Sequence, residues 1–340
     1  MNLQPDPISL SPLAQVGLVA IGRNEGERLR RCLASLPTDL GLIVYVDSGS
    51  SDDSVSCAHS QGAEVVELDM SVPFTAARAR NAGLQRLMQN NPQIAYVQFI
   101  DGDCEIAANW LETAATELHE HTDLVAVCGW RRERHPERTP YNCLCDVEWR
   151  MGPVGETKAF GGDAMIRVNT LAQIGGYDPA VIAAEDDELS IRLRQTGGRI
   201  VRLDHNSTVH DAEMTRLSQW WNRAKRCGHG YAHLFHLHGA PPEGYFRSQV
   251  RSALVWAALF PALVLGCAIP TSGLSLLLLG IYPLQKARIT RHLRQRGFSR
   301  RESFLWGLSC AASKFPEFVG MVTYLKRHLF KRSITIIEYK

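Results

Sequence analysis

An α/β fold built on a mainly parallel sheet with helices on both faces is predicted by three observations. Short apolar, β-branched runs alternate with helically spaced stretches through residues 16–127, which is the pattern of strand–helix–strand crossovers. Aspartates close two of these runs, Asp47 and Asp101, and open α/β sheets bind ligands just outside the carboxyl ends of their strands. No GxGxxG follows the first strand and no GxxxxGK[ST] occurs anywhere, which removes the dinucleotide and P-loop versions of such a fold.

Taken in order, 16–21 (VGLVAI) reads as the first strand, followed by the loop Gly22-Arg23-Asn24-Glu25-Gly26 and a helix over 28–36 with Leu29, Leu33 and Leu36 on one face. The second strand, 42–46 (LIVYV), ends in Asp47; a polar loop then leads into a helix over about 54–61, with Asp52 as its cap. A third strand covers 64–68, a helix 76–88, and a fourth strand 94–100 (IAYVQFI), which Asp101-Gly102-Asp103 closes. A helix over 110–120 and a short strand over 124–127 come next, and 131–140, charged and holding two prolines, reads as a mobile loop over the site. No internal repeat is visible.

At 340 residues, 45% hydrophobic and 21% charged, the chain is folded rather than disordered. Its net charge of +2 hides an asymmetry, because 285–340 carry 13 Lys/Arg against 3 Asp/Glu. Nine cysteines, odd in number and without paired CxxC spacing, read as reduced thiols of a cytosolic setting. The first residues have no basic start followed by an apolar core, so no signal peptide is expected and the catalytic portion should stay in the cytoplasm.

Asp101 and Asp103 are the first candidates for chemistry: one carboxylate can hold a hard divalent cation while the other takes the cation or a sugar hydroxyl, and that cation would neutralise a diphosphate leaving group. Asp47 can hydrogen-bond a base or ribose, or merely cap the turn after it. Arg78 and Arg80 sit on the helix preceding the fourth strand, and arginine is the natural fork for phosphate oxygens. Gly161-Gly162 and Gly175-Gly176 would let backbone approach a sugar closely. Glu185-Asp186-Asp187-Glu188 opens a helix; its dipole favours acids there, but four in a row exceed what capping needs. His210, at the end of a strand over 207–209, is a third cation ligand by type, since imidazole suits manganese beside carboxylates.

In this order the segments Arg23-Asn24-Glu25, Val46-Asp47-Ser48-Gly49-Ser50-Ser51-Asp52, Ala79-Arg80-Asn81-Ala82-Gly83, Asp101-Gly102-Asp103, Gly161-Gly162, and Glu185-Asp186 with Leu189 and Arg192-Leu193 resemble the family 2 glycosyltransferases of the GT-A fold over about residues 16–230. The resemblance implies an inverting transferase that takes a UDP- or GDP-linked sugar with Mn2+ or Mg2+. Carried over by residue, Arg23, Asn24, Glu25, Asp47, Arg80, Asn81, Asp101, Gly161 and Gly162 would bind the nucleotide sugar and Asp101 and Asp103 the metal, with His210 joining them by its residue type alone. Asp186, beside Glu185, would be the general base. A carboxylate must deprotonate the acceptor hydroxyl as it attacks the anomeric carbon opposite the leaving diphosphate. Gly22-Arg23 replaces the family's usual proline before the first-loop asparagine, and Gln219-Trp220-Trp221-Asn222-Arg223 does not meet the QxxRW of processive members, so single-sugar addition is expected. The rival readings are a nucleotidyltransferase, for which 22–26 is a poor glycine-rich loop, and a non-catalytic sugar-nucleotide-binding membrane protein, which has no need of Asp186.

The expected organisation is a tail over 1–15, a catalytic domain over 16–235 and a helical, membrane-associating region over 236–340. Within the last, 252–284 carry no charge, too many residues for one spanning helix and too few for two. Basic residues flank both ends, so a re-entrant or short two-helix hairpin satisfies length and charge together, against a soluble buried helix pair. The stretch 304–330 suits a helix lying on an anionic membrane surface or one packed on the catalytic domain. The expected partners are a lipid-linked or glycan acceptor at the cytoplasmic face of a membrane, and no nucleic acid.

Overall fold

The computed structural model describes residues 12–330. The N-terminal stretch read for a signal peptide and the end of the basic tail, 331–340, lie outside the described residues. Two compact units divide the chain: the first takes residues up to Arg134 with 149–179 and 185–211, the second 135–148, 180–184 and everything from Ala212.

The first unit is built on one sheet of nine strands among the described residues, ordered β3-β2-β1-β4-β8-β6-β9-β5 with β7 on β9. The strands are β1 Val16–Gly22, β2 Leu42–Asp47, β3 Glu64–Glu67, β4 Tyr96–Asp101, β5 Cys104–Ile106, β6 Leu124–Glu133, β7 Gly155–Glu156, β8 Met165–Arg167 and β9 Arg199–His210. The parallel part is β3-β2-β1-β4; beyond it β8 enters antiparallel to β4 and β6, and β9 pairs parallel with β6. β1 is buried on both sides, which is why it is an unbroken apolar run rather than an alternating one. Val19 and Ile21 meet the helices Ala76–Asn90 and Glu185–Gln195 on one face, while Leu18 and Ala20 meet Glu27–Ala34 on the other. Gly83 sets the approach of Ala76–Asn90 to the sheet: a Cβ there would lie 2.3 Å from Val19.

One expectation is overturned. The strand placed at 124–127 continues to Glu133, so 131–133 are ladder residues opposite Thr208, Val209 and His210 and not the start of a mobile loop. Register shifts at Cys128 and Trp130 carry the strand past its apolar part, and such bulges re-aim the side chains that follow. Gly129 sits there because a Cβ would come 2.5 Å from the His205 carbonyl.

In the second unit the helices Leu217–His238 and Lys314–Leu329 cross where glycine faces backbone, Gly228 against Glu317 and Gly320 against Lys225. Trp220 donates to Ser309 Oγ at 3.0 Å, and Arg223 grips Glu148 with two bonds of 2.7 and 2.9 Å. Helix Arg247–Gly266, with a wider π-type turn at Val255–Leu259, is long and apolar enough to cross a membrane by length and composition. The chain then turns through 267–273 and returns along Leu274–Gly280 and Ile281–Gln295. Ser275 Oγ donates to the Val264 carbonyl and Tyr282 OH to that of Trp256, so the two arms lie antiparallel, as a hairpin.

Candidate active site

At the end of β2, Asp47 is buried, with both carboxylate oxygens occupied. Oδ2 accepts from the Gly49 and Ser50 amides at 2.9 and 2.7 Å, and Oδ1 from Tyr45 OH at 3.1 Å and Ser50 Oγ. The carboxylate therefore folds the polar loop. Asn24 locks that loop to the first one: it takes a left-handed backbone conformation (φ 55°), donates its amide to Ser50 Oγ at 2.8 Å and accepts from the Ser51 amide at 2.7 Å. Asparagine tolerates that conformation better than other side chains. The Glu25 amide reaches Ser54 Oγ at 3.2 Å, and exposed Arg23 lies over the Phe74 ring. The expected nucleotide end, Arg23, Asn24, Glu25 and Asp47, is thus one cradle formed by the loops after β1 and β2.

At the end of β4 a buried guanidinium gathers the acids. Arg80 is 3% exposed and lies 3.1 Å from each of Asp101 Oδ1, Glu185 Oε1 and Asp186 Oδ1, with its guanidinium carbon 5.3 Å from the centre of the Tyr177 ring. Arg80, expected on phosphates, is held by carboxylates. Burial works against its charge, but Asp186, Tyr177, Asp101 and Glu185 outweigh that and hold it above its ordinary range. Gly162 makes the room, since a Cβ would stand 2.3 Å from Arg80 Nη2. Gly161, beside it, faces Asp163 at an ordinary 3.5 Å.

Asn81 grips Tyr177 at both backbone groups, donating to its carbonyl at 2.7 Å and accepting from its amide at 2.8 Å. Gly176, at φ 72°, keeps a Cβ off Asn81 Oδ1. Tyr177 OH, so placed, donates to Asp186 Oδ1 at 3.2 Å. Burial is the largest influence on Asp186; Arg80 opposes it, while Glu185, Asp101 and Asp187 add to it, and its pKa is raised to about 7. A carboxylate ionising there is matched to accepting a proton at neutral pH.

Three residues of the site were not singled out from sequence: Arg131, Asp163 and Tyr177. Arg131, on the extended β6, pairs with Asp163 Oδ1 at 3.0 Å, approaches Asp101 Oδ2 at 3.7 Å and packs over Trp149. Burial alone would push the Asp163 acid up, but Arg131 and the hydroxyls of Thr208 and Ser207 outweigh it and hold its pKa below the usual range. The one sequence signal for Asp163 was its position directly after Gly161-Gly162. Arg131 had none, because a charged run beyond an apolar strand reads as loop.

Of the expected cation ligands, Asp103 and His210 meet: His210 Nε2 is 3.1 Å from Asp103 Oδ1, and with the thiol of Cys104 they form a compact buried group. Burial first and Arg131 second lower the His210 pKa to about 4, so the ring is neutral at pH 7. Burial pushes the Cys104 thiol well up, so it is protonated at neutral pH. His210 Nδ1 is buried with no hydrogen-bond partner and stands against Trp149. A carboxylate and a neutral imidazole this close are donors that fit manganese. Asp101, the other expected ligand, lies between Arg80 and Arg131.

Residues 19–172 match the model of glycosyl transferase family 2. The chain is 29% identical over 233 residues to the pre-mycofactocin glycosyltransferase of Mycobacterium tuberculosis, covering 64% of this chain and 46% of that protein. It is 33% identical over 93 residues to the succinoglycan biosynthesis protein ExoA of Rhizobium meliloti, covering 27% and 28%. The chain thus spans less than half the length of these curated relatives. Among solved structures it resembles the mannosyltransferase PcManGT of Pyrobaculum calidifontis, in complex with GDP-Man and Mn2+, at a TM-score of 0.61 and 17% identity, with 94% of this chain and 91% of that one covered. It also resembles the glucosyl-3-phosphoglycerate synthase of Mycobacterium tuberculosis in complex with phosphoglyceric acid, at 0.50 and 18%, with 71% and 88% covered. These likenesses carry the GT-A fold.

Proposed function

We propose, for a chain whose residues 19–172 belong to glycosyl transferase family 2, that it is an inverting transferase moving one sugar from a nucleoside-diphosphate sugar to a hydroxyl of a lipid-linked or glycan acceptor. The observation that carries this is Asp186, a carboxylate with a pKa of about 7 that Arg80 and Tyr177 hold beside the β4 aspartate. As the acceptor oxygen bonds to the anomeric carbon, Asp186 takes its proton and the bond from that carbon to the diphosphate oxygen breaks. Arg80 keeps Asp186 ionisable and fixed, Tyr177 orients it, and Arg131 offers positive charge next to Asp101 on the diphosphate side. The cradle of Asn24, Asp47 and Ser50 receives the nucleoside. Asp103 and His210 would hold a divalent cation, which supplies charge compensation for the departing diphosphate. PcManGT, solved in complex with GDP-Man and Mn2+, supports a GDP-linked donor and manganese as the first pair to try. The uncharged run 252–284 and the basic residues after it support work at the cytoplasmic face of a membrane.

The test is release of GDP or UDP from a panel of nucleotide sugars by detergent-purified protein, with and without Mn2+. Asp186→Asn should lower release by about 100-fold or more, and Asp103→Asn should remove its dependence on the metal. Full activity of Asp186→Asn sinks the reading. Transfer of a nucleotidyl group instead of a sugar would replace it with the nucleotidyltransferase alternative.

A further inference from the structure

The hairpin of the second unit has features that the transfer reaction does not use. Its large side chains point outward: Leu259, Leu263, Leu265, Leu274 and Leu277 are 56, 63, 62, 68 and 76% exposed, and Ile269 at the tip 91%. A patch of this kind on a folded protein marks a surface that something covers. Residues 247–301 hold nine Lys/Arg and no Asp or Glu, and none of the nine falls within 252–284. Charge therefore gathers at the base of the hairpin, where Arg247, Arg251, Arg288, Arg291 and Arg294 are exposed, and the tip carries none.

Length decides how such a device meets a bilayer. The first arm begins with Arg247 and Arg251 in its opening turns, so its uncharged part is only 252–266, about 22 Å of helix at ~1.5 Å per residue. The returning arm, 274–284, is of similar reach. The hydrocarbon core of a bilayer is about 30 Å thick, so one leaflet is about half of that. The arms are tied to each other by Ser275 on Val264 and Tyr282 on Trp256, and Trp256, Phe260 and Tyr282 pack ring against ring within 6.1 Å. Both ends consequently emerge on one side.

We infer that residues 252–284 enter an anionic membrane from one face without crossing it, as a monotopic anchor, with the arginines at the base on the phosphate headgroups and the tip past the mid-plane but short of the opposite face. Cations at the base and leucines at the tip match the headgroup and hydrocarbon layers in that order. A second copy of the chain would cover the leucines but would bring its own arginines to face these. The inference rests on the membrane-face reading of the proposed function and gives it a depth, a sidedness and a lipid charge.

The test is flotation of the full chain with vesicles of phosphatidylcholine alone or with one third phosphatidylglycerol. Binding is expected to the anionic vesicles and to fall on the order of tenfold or more in neutral ones or in Arg288→Glu/Arg291→Glu. Ile269→Glu/Leu277→Glu, both at exposed positions, should abolish flotation while leaving the far-ultraviolet spectrum unchanged. In Ile269→Cys made on a Cys267→Ser background, an impermeant maleimide enclosed in the vesicle lumen should leave the tip unlabelled. Labelling from the lumen would overturn the one-face reading, and so would a vesicle-independent dimer that the tip substitutions dissociate. Absence of flotation with persistent Asp186-dependent nucleotide release would remove the anchor alone. Flotation without turnover of any donor would remove the transferase reading alone.

Discussion

Replacing Arg80 by methionine tests the heart of the site. The substitution keeps an unbranched side chain in the helix Ala76–Asn90 but withdraws the guanidinium that lies 3.1 Å from Asp101, Glu185 and Asp186. Removing one partner of a buried ion cluster costs about 3–5 kcal/mol, because the other charges stay behind uncompensated. Here three carboxylates face the gap, of which Glu185 and Asp186 are 8 and 16% exposed, so the upper half of that range is expected at alkaline pH. The pH dependence follows from the direction of the shift. Asp186 is already raised, to about 7, by burial in the presence of Arg80, and loss of the chief opposing cation raises it further. A carboxyl whose folded pKa lies above its unfolded value is favoured folded while protonated. That stability is present at low pH and is lost as pH rises through the folded pKa. Urea unfolding followed by circular dichroism should therefore show Arg80→Met losing about 4–5 kcal/mol near pH 8.5 and clearly less near pH 5. Arg80→Lys, which keeps the charge but not the fork, should fall between. A loss below ~1 kcal/mol, or an equal loss at both pH values, would refute the argument that the guanidinium compensates buried charge.

Three further outcomes are expected. The rate of nucleotide release should rise about tenfold from pH 6 to pH 8 as Asp186 ionises around 7, and this rise should vanish from the residual rate of Asp186→Asn. The adjacent glycines should differ when changed to alanine: Gly162→Ala drives a methyl to 2.3 Å from Arg80 Nη2 and should lower stability by about 1–3 kcal/mol together with activity. Gly161→Ala meets Asp163 at 3.5 Å and should stay within ~0.5 kcal/mol of the parent in the same melts. Gly320→Ala, whose methyl would stand 2.0 Å from the Lys225 carbonyl, should separate the two crossing helices and cost about 3 kcal/mol, read as a lower midpoint in thermal unfolding.

The parallel half of the sheet was legible because each of its strands is a short apolar run with its own punctuation. β1, β2 and β4 fall within two residues of their expected limits, and Asp47 and Asp101 close their strands as the pattern requires. β6 was cut short for a physical reason. Its last residues, Trp130 to Glu133, are polar or amphipathic, and their ladder is made with β9, which lies far along the chain. Periodicity within one segment carries no record of such a partner.

Pairing among charges was the least legible level, and the site depends on it most. Composition and order brought Arg80, Asp101, Asp186 and His210 onto one list, but which charge meets which is a matter of contacts across 105 and 106 positions for Glu185 and Asp186 and 21 for Asp101. The consequence is a division of labour that residue types alone do not announce. Asp101 stands between Arg80 and Arg131, so its negative charge is already balanced by protein. Asp103 has a neutral imidazole for its neighbour. A carboxylate flanked by two guanidiniums is a weaker cation ligand than one beside a neutral base, because the fixed positive charges repel the incoming ion. The two aspartates of one short motif are thus set in different electrostatic surroundings by neighbours that come from other elements. Asp101 ties the helix Glu185–Gln195 to β4 through Arg80, and in the proposed reaction Asp103, with His210, would offer the donors for the ion.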